Sequence, residues 1–146
     1  MDSPAAELDL MRVLPAEPEE VFAAWTRPEL MARWFAPAPL VPATVTADAR
    51  VGGRFEVEMQ RPDGSTVQVW GEYLEVVPPE RLVFTWEFRE HPQTRSEVTV
   101  QLRSSAGGTQ LRLIHRRLPD ATEISRHRHG WEGCFDALAR FLGGKR

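Results

Sequence analysis

The sequence predicts an α+β fold in which a curved antiparallel sheet of about six to seven strands grips a long C-terminal helix. Three observations carry this. Between residues 43 and 117 apolar side chains recur with a period of two, the alternation of half-buried strands. Turn signals at Pro62-Asp-Gly-Ser65, Pro78-Pro79 and Ser104-Ser-Ala-Gly-Gly108 divide that region into consecutive hairpins, hence an antiparallel meander. Beyond residue 119 the period changes: Ile124, Trp131, Cys134, Phe135, Leu138 and Leu142 recur at the spacing of one helix face. Leu82, Phe84, Trp86 and Phe88 form one aromatic-rich sheet face that needs a cover or a guest, and the helix stripe is the cover. The expected architecture is a binding cup.

The elements follow in order. Leu8, Leu10, Arg12 and Leu14 alternate with Asp9, Met11 and Val13 as a first strand ended by Pro15. Pro18 suits a first helical turn, and Glu19 and Glu20 suit its positive dipole end. Val21, Phe22 and Trp25 make that short helix amphipathic. Thr26-Arg-Pro-Glu29 has capping-box spacing, so a second short helix is expected to start at Thr26, with Leu30, Met31, Trp34 and Phe35 on its apolar face. Pro37, Pro39 and Pro42 predict an irregular loop. Strands are then expected at 54–60, 67–77 and 81–90, followed by one carrying Val98, Val100 and Leu102 and one carrying Leu111, Leu113 and His115. Gly143-Gly144 stops the last helix. Residues 1–146 contain no repeat, linker or low-complexity run, and they read as a single domain.

Composition bounds the function. A net charge of −3, from 18 basic and 21 acidic residues, supplies no field for nucleic acid or an anionic membrane. No apolar run reaches the roughly 20 residues of a bilayer span, so no integral membrane contact is expected. The N-terminus has neither a basic segment nor an apolar one, so no signal peptide is expected. Cys134 is the single cysteine and has no internal disulfide partner. These features predict a soluble, cytoplasmic protein.

Several stretches, in this order and spacing, resemble one family: 21–35 (VFAAWTRPELMARWF), Val51-Gly-Gly-Arg-Phe55, Pro62-Asp-Gly64, Gly71 through Phe88, and His129-Gly-Trp131 with the helix after it. Across roughly residues 8–142 the chain is similar to the START-like (SRPBCC) superfamily, and within it to the bacterial single-domain members of the family named for the activator of heat shock protein 90 ATPase. The resemblance implies a helix-grip fold of the START/Bet v 1 type, with a cavity between the sheet and the C-terminal helix. It assigns no ligand.

The chemistry-bearing residues are weighed within that frame. His127 and His129 are two apart, whereas helical metal pairs use i,i+4, so neither they nor Cys134 form a metal site. Cys134, on the apolar stripe, reads as a small hydrophobe and not as a nucleophile. His115 is either a satisfied core residue or a polar group within the cavity. Arg112, Arg116, Arg117, Arg126 and Arg128 read as a solvated basic rim. No catalytic residue and no cofactor is assigned. The sequence-level reading is a binding protein for a small hydrophobic or amphipathic molecule, with cavity walls at Phe55, Val57, Trp70, Tyr73, Phe84, Trp86, Val100, Leu113, His115, Trp131, Phe135 and Leu138. Trp70 and Tyr73 fall on opposite faces of their strand, so one of the two must point away. Two alternatives stand beside this reading. One is a protein-interaction module of co-chaperone type with an unidentified partner. The other is a cofactor-free cyclase, dehydratase or hydrolase, which requires His115, Tyr73 or a buried Glu to converge in a wet cavity.

Overall fold

The computed structural model describes residues 7–90 and 95–144. Its elements are β1 (Leu8–Leu14), α1 (Pro18–Thr26), α2 (Pro28–Met31), β2 (Val41–Ala47), β3 (Arg54–Gln60), β4 (Thr66–Val77), β5 (Arg81–Phe88), β6 (Ser96–Ser105), β7 (Gly108–Arg116) and α3 (Ala121–Gly143). The strands form one seven-stranded antiparallel sheet in the order β1-β7-β6-β5-β4-β3-β2. Every consecutive pair from β2 to β7 is a hairpin, and β1 closes the far edge against β7 with Leu8 opposite His115. This is the helix-grip arrangement, a curled sheet around the long α3.

The strands form where alternation predicts them. β3 shows it most plainly: Phe55, Val57 and Met59 are buried while Arg54 and Gln60 are exposed. Gly71 keeps β4 close to its neighbours, because a Cβ there would overlap the Thr85 carbonyl and meet the Phe55 ring. The register slips between Tyr73 and Glu75, which turns Leu74 outward. Asp120 caps α3 by accepting a hydrogen bond from the Glu123 N–H at 2.9 Å.

Two local expectations are corrected. Thr26 does not cap the second helix. It is the last residue of α1, and its hydroxyl donates to the Phe22 carbonyl at 2.9 Å. Pro28 supplies the first turn of α2 instead. Pro42 lies within β2 and not in the preceding loop. β2 is a sheet edge, where a missing N–H costs no ladder bond, and its register shifts between Pro42 and Thr44.

The core lies between the concave sheet face and α3, and α1 and α2 fill much of it. Trp25 packs edge-on against Trp34 with ring centroids 4.8 Å apart, and it also meets Phe35, Phe84 and Trp131. Phe35 stacks with Trp86 at 6.1 Å. α2 ends at Met31, so Trp34 and Phe35, expected on its apolar face, lie in the turn beyond it, where the Trp34 indole N–H donates to the Ala24 carbonyl of α1 at 3.0 Å. α1 and the segment just after α2 thus plug the cup with aromatic rings.

Candidate functional site

The plug leaves an open cleft beside the N-terminal half of α3. Its volume is about 450 Å³, within the range of small-molecule sites. One wall is helical, from Glu123 through His127, Gly130 and Trp131 to Cys134. The opposite wall comes from the sheet: Met59 on β3, Val67 on β4, and Trp86 and Phe88 on β5. Pro37 and Leu40, between α2 and β2, close one side. A second lobe of about 280 Å³ shares Trp86, Phe88 and His127 and extends toward Leu118 and Pro119. Arg61, Glu90, Glu123 and Arg126 complete the first lobe's lining with charge.

A buried hydrogen-bond chain ties the Trp131 indole to the backbone of Trp86. The Trp131 indole N–H donates to His115 Nδ1 at 3.1 Å. His115 therefore carries its proton on Nε2, which donates to Ser96 Oγ at 2.7 Å. The Ser96 hydroxyl donates onward to the Trp86 carbonyl at 3.1 Å. His115 is fully buried and uses both ring nitrogens in this chain. Burial, and secondarily the His127 charge, holds its pKa well below the ordinary 6.5. A neutral imidazole with no free nitrogen is a scaffold group and not a base.

His127 sits on the cleft itself. Its Nδ1 lies 2.8 Å from the Glu123 carbonyl, and its ring meets His115 at 4.9 Å and Phe88 at 5.8 Å. Burial depresses its pKa, partly opposed by the Glu123 backbone and carboxylate. Cys134 lies one turn beyond Gly130 and is buried, which pushes its thiol up. Among the described residues no group of three His, Cys, Asp or Glu side chains is placed to hold a metal.

Of the twelve walls predicted from sequence, Trp86 and Trp131 line the cleft. Phe55, Val57, Tyr73, Phe84, Val100, Leu113, His115, Phe135 and Leu138 do face inward, but they pack into the filled core. Trp70 is a correction. It projects from the outer sheet face, between the Arg54 and Arg89 guanidinium groups at 5.2 and 5.9 Å from its ring. Alternation gives the inward side of β4 to Val69, Gly71 and Tyr73, and Trp70 falls between them on the other face. Tyr73 borders a dry interior void with Trp25 and Phe84, and it does not converge with His115 on the cleft. Its phenol is pushed up by burial first and the Asp48 charge second. The closest approach of a glycine of α3 to its surroundings is at Gly133, where a Cβ would lie 3.0 Å from Pro37 Cβ, in the loop and not in the sheet. The basic rim is partly neutralised by pairs such as Arg112–Asp9 and Arg126–Glu123.

Among the cleft residues that sequence reasoning did not select are His127, Phe88 and Met59. His127 carried a signal: it lies four residues before Trp131, and so on the same helix face, where the apolar stripe has its gap. No helix among the described residues is long and apolar enough to cross a membrane.

Comparison with known proteins agrees with the fold. Over 96% of its length the chain is 32% identical to the human activator of 90 kDa heat shock protein ATPase homolog 1, and it spans 38% of that protein. A solved Chromobacterium violaceum protein superposes with a TM-score of 0.86 at 31% identity, covering 95% of this chain and 98% of that one. An AHSA1 protein from Silicibacter pomeroyi also gives 0.86, at 27% identity and with 96% and 99% of the two chains covered. Residues 15–143 match the family described as activator of Hsp90 ATPase homolog 1-like proteins, and the chain belongs to that family.

Proposed function

We propose that this protein binds a small apolar or amphipathic molecule in the cleft beside α3. The supporting observation is a pocket of about 450 Å³ that remains open although the rest of the cup is filled, with Trp86, Phe88 and Trp131 among its walls. Such walls favour a flat or chain-like apolar body, and the charged groups at the mouth suit a polar end. A single buried thiol is compatible with action in the cytoplasm, as one domain over residues 1–146.

Titration with naphthalene-type compounds should quench or shift tryptophan emission. Gly130 lines the cleft, and a Cβ there would meet only Pro37 Cγ, at 4.0 Å. Gly130→Leu therefore places a side chain in the cleft while improving helix propensity. It should abolish binding and keep the fold. No emission change up to about 1 mM, equivalent to roughly −4 kcal/mol, would defeat the reading.

A second reading, contact with an Hsp90-type chaperone, is favoured by the identity with the human activator across 96% of this chain. It requires a measurable rise in the chaperone's ATPase rate on adding this chain, and a rise unaffected by Gly130→Leu would locate that contact outside the cleft.

A further inference from the structure

The hydrogen bonds around His127 define what the cleft asks of its guest. The Glu123 carbonyl can only accept, so the His127 nitrogen 2.8 Å from it, Nδ1, must carry the proton. In the neutral ring Nε2 is then a lone-pair acceptor. Among the described residues it has no hydrogen-bond partner, although the His127 side chain is only 11% exposed and lines both lobes of the cleft. His115, whose ring lies 4.9 Å from that of His127, spends both nitrogens on Trp131 and Ser96. The cations at the mouth are engaged as well: Arg126 lies 3.4 Å from Glu123, and Arg61 donates to Ser65 Oγ at 3.1 Å. Their charge is balanced by Glu90 and Glu123 on the same rim. The cleft thus offers aromatic walls, an acceptor at His127 Nε2, a buried Trp86 indole N–H that likewise has no partner among the described residues, and no surplus positive charge, so that a hydroxyl, which both donates and accepts, suits it.

We infer that His127 Nε2 is a specificity-determining acceptor, and that the cleft selects neutral apolar ligands bearing a hydroxyl donor over their ethers and over carboxylates. This inference rests on the ligand-binding reading above. A hydroxyl on the ligand donates to Nε2, and no proton is transferred. A methyl ether keeps the apolar body but has no donor, leaving two acceptors opposed. A carboxylate adds a charge to a rim where Glu90 and Glu123 already match Arg61 and Arg126.

The test compares 2-naphthol, 2-methoxynaphthalene and 2-naphthoate on the full chain at neutral pH. Naphthol should bind about 3- to 10-fold more tightly than its methyl ether, the fold-change of one net hydrogen bond, and more tightly than naphthoate. His127→Phe should erase the difference between naphthol and ether while leaving ether binding in place. The imidazole ¹⁵N resonances give an independent reading. They should report a protonated Nδ1 in the free protein and move at Nε2 when naphthol is added, but not when the ether is. Equal binding of naphthol and ether, an unmoved Nε2, or a preference for naphthoate would overturn the inference and leave the cleft reading standing. Failure of all three compounds to bind would remove both.

Discussion

Gly130 and Gly133 lie on the same stretch of α3 and both face Pro37, yet replacing them by Ala should have opposite effects. An interior helical glycine costs about 0.8–1.0 kcal/mol relative to Ala, and each substitution recovers that amount. At position 130 a new Cβ would lie 4.0 Å from Pro37 Cγ, an ordinary van der Waals contact. Gly130→Ala should therefore stabilise by about 0.5–1 kcal/mol. At position 133 the Cβ would lie 3.0 Å from Pro37 Cβ and 3.3 Å from Pro37 Cα, inside the contact distance of two carbons. Pro37 has little room to withdraw. Its carbonyl accepts from the Leu40 N–H at 2.9 Å, and the chain just before it is anchored by Phe35, whose ring meets Trp86 and Trp131. Overpacking of this kind costs about 1–3 kcal/mol, which offsets or exceeds the propensity gain. The two variants should differ by about 1–3 kcal/mol, with Gly133→Ala the weaker. Urea unfolding followed by tryptophan emission and far-UV circular dichroism measures this, provided the m-value is unchanged. If Gly133→Ala is stabilised as much as Gly130→Ala, the loop at Pro37 does not press on α3, and the side wall it gives the cleft must be withdrawn.

Three further outcomes are expected. Trp131→Ala should destabilise by about 3–5 kcal/mol as a buried aromatic, and Trp131→Phe by about 1–3 kcal/mol, because His115 Nδ1 loses its donor while most of the ring remains; a Phe variant as stable as wild type in chemical denaturation would discount the network. Native Cys134 should react slowly with a thiol reagent at neutral pH and quickly in denaturant, since burial pushes its thiol up, and rapid labelling of the folded protein would contradict its burial. Stability should fall on acidification, because His115 stays neutral when folded but protonates near pH 6.5 when unfolded. Below that pH the unfolded chain holds more protons, so stability drops as the pH decreases from 6.5 toward the lower folded pKa, with a slope of at most about 1.4 kcal/mol per pH unit from this residue. His115→Gln should flatten the slope seen in melting curves between neutral and mildly acid pH, and an unchanged slope would show that other groups set it.

The elements were legible because each obeys a local rule. Alternation along Arg54–Gln60 and the Asp-Gly pair before Thr66 fix strands whatever lies across from them. The interior was legible in kind but not in occupancy. Periodicity marks Phe55, Phe84 and Leu113 as facing inward, and they do. It cannot say whether inward-facing groups enclose space or fill it. That depends on the volume brought by α1, α2 and the turn after them, where Trp25, Trp34 and Phe35 read as apolar but with no stated partner. The Trp25 and Phe35 rings meet Trp86, Phe84 and Trp131 across the cup, contacts between residues 51 to 106 positions apart that no local pattern encodes. The surviving space is consequently displaced toward the N-terminal half of α3, where the stripe weakens at His127 and Gly130 replaces a side chain with a hydrogen. A polar ring and a missing side chain on an otherwise apolar helix face count against a packed core at that point. Read that way, the interruption of the stripe, more than the stripe itself, marks where the cup stays open.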